Sequence, residues 1–101
     1  MDHNRMREKL RLGELVSLKV HGHSMEPRVH DGQQVTIIPI VDFFEIEAGD
    51  VVYCKLQGRY FFHLVKGKKR SGDGWTFLIG NNKGRINGWA NQSAVFGKLD
   101  V

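Results

Sequence analysis

One cysteine, Cys54, excludes an intramolecular disulfide framework and makes a reducing, cytoplasmic compartment the natural expectation. Only two prolines interrupt the 101 residues, and the chain has no internal repeat and no low-complexity segment. No run approaches the ~20 apolar residues of a membrane-spanning helix. The first residues are charged (Asp2, Arg5, Arg7, Glu8, Lys9), so neither a membrane anchor nor a secretory signal is expected. The length allows a single domain and excludes a second catalytic one.

What is present is ordinary for a folded domain: 41% hydrophobic and 26% charged residues. The net charge of +4 is mildly basic, and much of the excess sits in Lys66-Gly67-Lys68-Lys69-Arg70. No aromatic-and-basic recognition module accompanies that run, so it reads as a solvated loop and nucleic acid is not an expected partner.

Residues 1–14 read as an N-terminal arm or short helix, rich in helix formers from Asp2 to Leu12 and ended by Gly13. Residues 15–101 read as a mainly β domain. Val16, Leu18 and Val20 alternate with polar residues as in a half-buried strand. Gln34 to Ile38 forms a second strand, stopped by Pro39, and a connection follows in which Phe43 and Phe44 pack inward.

Two β-rich runs, Val51 to Leu56 and Arg59 to Lys66, flank Gln57-Gly58 as a hairpin. A two-residue loop pairs Cys54 with Phe61 and Val52 with His63. Val52, Cys54, Phe61, His63 and Val65 then share one face. Trp75 to Ile79 and Ala94 to Leu99 are further strands, the last a candidate sheet edge. Asn81 to Asn91, rich in Gly and Asn, reads as a loop between them.

Gly22-His23-Ser24-Met25-Glu26-Pro27 is the segment that carries chemistry. A serine becomes a nucleophile when its backbone is held, a base reaches its hydroxyl and amide donors await the oxyanion. Here a glycine permits close approach before the serine, and a proline stiffens the exit. On the residues alone, Ser24 also fits a turn serine and His63 a core histidine. His21, His23 and His30 lack the Cys or carboxylate cluster that would complete a metal site. No metal or other cofactor is expected. Trp75, Phe77 and Trp89 read as packing residues and Cys54 as a small buried hydrophobe.

The order of segments adds to this: Val20-His21-Gly22-His23-Ser24-Met25-Glu26-Pro27, Asp31-Gly32, Glu47-Ala48-Gly49-Asp50-Val51-Val52, His63-Leu64-Val65 and Gly80-Asn81-Asn82. Over roughly residues 15 to 99 this resembles the clan of LexA-type repressor autoproteases and type I signal peptidases. The resemblance implies a mainly β, partly closed LexA/signal-peptidase-like barrel. It also implies Ser24 as nucleophile, with the backbone amides of Ser24 and Met25 as the oxyanion hole. The clan's usual lysine base falls at His63, which resembles the Ser-His branch of signal peptidases. The acidic residue that would orient such a histidine is missing from its usual place, and Asp31 and Asp73 stay open as substitutes.

The function implied is a serine endopeptidase-like domain that cleaves an extended peptide with a Ser24/His63 dyad. The alternative is a catalytically inactive relic serving as a protein-interaction or dimerisation module. Only 23 residues precede Ser24, with no Ala-Gly or Cys-Gly pair and no room for a DNA-binding module. The expectation is therefore action in trans on a peptide or protein substrate, or a processed C-terminal half. A homodimer is a further expectation from the repressor branch.

Overall fold

A computed structural model describes residues 2–101 of the chain. The chain begins with helix α1 (His3–Arg11), whose first turn is capped by the Asp2 side chain accepting from Arg5 N at 3.0 Å. It ends at Gly13, whose φ of 85° suits glycine at a helix C-terminus. Met6 and Leu10, one turn apart, are its buried residues, and they join the core.

Seven strands follow among the described residues: β1 (Val16–Lys19), β2 (Gln34–Ile38), β3 (Val51–Leu56), β4 (Arg59–Ser71), β5 (Gly74–Gly80), β6 (Ile86–Asn91) and β7 (Val95–Leu99). They form one antiparallel sheet in the order β1-β2-β7-β3-β4-β5-β6. The sheet curls without closing, and β6 comes back into contact with β3. The fold is thus the mainly β, partly closed form expected from the sequence.

β3 is the common wall of two cores. Val51 and Tyr53 belong to a cluster with α1, β1, β2 and Leu99. Val52 and Cys54 face the other way, into a cluster with Val65, Phe77, Ile79, Ala90 and Val95. A strand covered on both faces must be apolar throughout, which explains the unbroken Val-Val-Tyr-Cys. The β3–β4 register pairs Val52 with His63, Cys54 with Phe61 and Leu56 with Arg59, as a two-residue loop requires. Both loop residues have positive φ, 51° at Gln57 and 77° at Gly58, the backbone of a type I′ turn.

Several expectations are corrected. Lys66 to Arg70 is no loop: β4 continues to Ser71, because Gly67 to Ser71 find partners in β5. Its charges are supported by aromatic rings, with Lys68 Nζ 4.5 Å from the Phe44 ring centroid and Lys69 Nζ 4.2 Å from that of Trp89. Phe44 stays mostly exposed under that lysine, while Phe43 packs inward. The Asn81 to Asn91 region is a loop only to Arg85; from Ile86 it is strand β6. Finally, β7 lies between β2 and β3, so the edges of the sheet are β1 and β6.

Gly97 in β7 marks how closely the layers approach. A Cβ there would collide with Ile37 Cγ2 and stand 3.1 Å from Ile38 O and 3.3 Å from Leu10 Cδ1. Ile37 is fully buried and branched, so it has little room to yield. Gly97→Ala is expected to cost about 1–3 kcal/mol. Thermal unfolding should register this as a fall of about 4 °C or more. An unchanged melting temperature would contradict the close packing of α1 and β2 on β7.

Candidate active site

Ser24 stands on a turn that the core and two neighbouring segments hold in place. Its flanks, Met25 and Val29, are buried in the first core cluster and anchor the turn from below. Met25 O accepts from Arg28 N at 2.9 Å and from Val29 N at 3.1 Å. At the entrance Gly22 adopts φ 110°, which favours glycine, and its N–H donates to Asp31 Oδ1 at 2.9 Å. That bond lowers the Asp31 pKa more than any other contact. At the exit Val20 and Gly32 close the loop through Gly32 N to Val20 O, 2.7 Å.

The turn between β5 and β6 clamps the segment from above. Asn82 N donates to Ser24 O at 3.0 Å, and Asn82 Nδ2 donates to Glu26 O at 2.9 Å. Asn81 builds that turn, its Oδ1 accepting from the amides of Lys83 and Arg85, both at 2.9 Å. Gly80 allows the turn to close, because a Cβ there would stand 2.5 Å from Arg85 O.

His63, on β4, is brought to this turn. Its Nε2 lies 3.0 Å from Ser24 Oγ. The imidazole is buried, with the Phe61 ring 4.9 Å away centroid to centroid and Val52 directly opposite. Its Nδ1 lies 2.7 Å from Asn87 Oδ1 on β6. Burial lowers the His63 pKa below the ordinary 6.5; the Asn87 bond raises it, and the Arg85 charge lowers it further. The result is a neutral imidazole at pH 7, hydrogen-bonded to a hydroxyl. Such an arrangement lets a hydroxyl pass its proton to the imidazole as it attacks.

The two residues singled out in the sequence thus meet, although 39 positions apart. Neither Asp31 nor Asp73 is the histidine's partner. Asp31 is bound to Gly22 N, and Asp73 sits in the turn at the far end of the β4–β5 hairpin. Asn87 takes that place, and sequence reasoning missed it by reading its segment as a loop. Two other histidines serve the rim: His23 and His30 both bond Glu26, at 2.7 and 3.3 Å, and lower its pKa. Among the described residues no group of three or more His, Cys, Asp or Glu is arranged to hold a metal. Cys54 is fully buried, and burial pushes its thiol up to about 12, so it is inert at this site.

The site is thus a serine turn clamped over a histidine of the β-sheet. Residues 5–93 match the profile of the family described as Peptidase S24-like, and the chain belongs to that family. No significant match to the chain was found among curated proteins or solved structures.

The titration of His63 checks its environment. Because the folded state disfavours the imidazolium, the unfolded chain takes up that proton first. Stability therefore rises with pH from the folded-state pKa to the unfolded ~6.5, and the gain is lost on acidification through that interval. Histidine-resolved NMR should find the His63 midpoint below 6.5; a midpoint above it would contradict the buried, uncharged setting.

Proposed function

We propose that this domain is a serine endopeptidase in which Ser24 is the nucleophile and His63 the general base. The observation that carries the reading is the 3.0 Å approach of His63 Nε2 to Ser24 Oγ in a Peptidase S24-like chain. Oγ attacks the scissile carbonyl carbon as its proton passes to Nε2. The oxyanion that forms is stabilised by the Ser24 and Met25 amides, the assignment that the clan resemblance implies. The imidazolium then protonates the departing amine, and water releases the acyl group by the same route.

The substrate is an extended peptide or protein segment. Both edges of the sheet adjoin the site: β1 precedes the Ser24 turn, and β6 carries Asn87. Either edge offers unpaired backbone groups for strand addition, the mode by which sheet edges bind extended chains. Among the described residues no helix is long and apolar enough to cross a membrane.

Two substitutions test the chemistry. Ser24→Ala should abolish cleavage of an unstructured peptide and lower stability by only about 1 kcal/mol, for the lost bond to His63. Equal cleavage by wild type and variant would overturn the peptidase reading. His63→Ala should lower turnover by about 10²–10⁴ with little change in substrate binding. The acid limb of the rate profile should follow loss of the imidazolium and lie at or below pH ~6.5. Full activity in His63→Ala would remove His63 as base even with Ser24 confirmed.

A further inference from the structure

We propose that Asn87 is the positioning residue of this site: its side-chain oxygen holds His63 in the tautomer that carries its proton on Nδ1, leaving the Nε2 lone pair for the Ser24 proton. The proposal rests on the Ser24–His63 reading but concerns the opposite edge of the imidazole.

Three features of the structure support it. The first is the contact itself, Asn87 Oδ1 to His63 Nδ1 at 2.7 Å. An amide oxygen only accepts, so Nδ1 must donate. A neutral imidazole with its proton on Nδ1 has an acceptor at Nε2, and that atom faces Ser24 Oγ. In the reversed pairing Asn87 Nδ2 donates to Nδ1. The proton then sits on Nε2, points at Ser24, and no base remains. The tautomer therefore decides whether the pair is chemically competent.

The second feature is the backbone that delivers Asn87. Along the β5–β6 ladder Ile79 pairs with Gly88 and Gly80 with Ile86, so Asn87 is the extra residue of a β-bulge. Gly88 beside it has φ 138°, a conformation that side chains other than hydrogen rarely adopt. Bulges turn a side chain out of the alternation of its strand. This one accompanies the reach of Asn87 across β5 to the histidine on β4.

The third is charge. Of the charged groups on the elements packed around His63, Arg85, in the turn before β6, is the one whose field shifts its titration. Glu26 is engaged by His23 and His30. Arg85 disfavours the imidazolium, and an asparagine supplies no countercharge. A neutral orienting group thus fixes the tautomer while raising the pKa less than a carboxylate would. The departure from an acidic partner is then a setting of the base towards neutrality.

The test is carried out on the full chain, with imidazole ¹⁵N NMR beside peptide hydrolysis. Wild-type His63 should carry its proton on Nδ1. Asn87→Ala should mix the tautomers and lower turnover by roughly 10- to 10²-fold at similar KM. Asn87→Asp, which keeps the acceptor and the size, should preserve the tautomer. It should also move the His63 midpoint and the acid limb up together by about 1 unit or more. A wild-type proton on Nε2 would overturn the proposal, as would an Asn87→Ala variant with unchanged tautomer and turnover. Should wild type hydrolyse no peptide, the NMR alone decides. Loss of the Nδ1–H tautomer in Asn87→Ala would uphold positioning while the peptidase reading falls.

Discussion

The register of the β3–β4 hairpin is the constraint on which the rest of the molecule depends. Side chains alternate across a strand, so a slip of one residue would turn His63 away from its face and bring Leu64 in its place. The type I′ backbone at Gln57-Gly58 fixes the pairing at one end. The two-sided burial of β3 fixes it along its length, because Val52 and Cys54 must enter one core while Val51 and Tyr53 enter the other. His63 therefore sits opposite Val52, in apolar company that keeps it neutral.

The serine side of the site is held by a different device. No regular element carries Ser24; a turn does, and turns hold position only when their backbone groups and neighbours are fixed. Met25 and Val29 anchor it in the core, Asp31 holds the Gly22 amide, and Asn82 clasps the carbonyls of Ser24 and Glu26. The asparagine pair after β5 thus belongs to the scaffold of the site, with Asn81 shaping the turn and Asn82 making the clasp. A site assembled from a rigid hairpin and a clamped turn holds the Ser24 hydroxyl against the His63 imidazole before any substrate arrives, the preorganisation that the proposed chemistry requires.

Much of this was legible in the sequence, and the failures have physical causes. The strands with strong apolar patterns, Gln34–Ile38 and Val51–Leu56, were readable with their ends, as was the pairing of Val52 with His63. That Ser24 and His63 would meet was an expectation of the resemblance, and their side chains are 3.0 Å apart. β6 was missed because Ile-Asn-Gly-Trp-Ala-Asn has little β propensity and contains a bulge, which breaks the alternation that signals a strand. Asn87 was hidden with it. The basic run of β4 was misread because its support comes from β5 pairing and from aromatic rings distant in sequence, none of which a local pattern contains. The position of β7 between β2 and β3 is likewise a property of topology.

The central claim is that Ser24 is an activated hydroxyl, a property distinct from its place in the fold. It is tested most directly by treating the native protein with a serine-reactive phosphonate and mapping the adduct by peptide mass spectrometry. The account predicts a single adduct on Ser24, formed faster at pH 7 than at pH 5 as His63 loses its proton, and greatly slowed in His63→Ala. No adduct on Ser24, or one that forms equally well without His63, would contradict it.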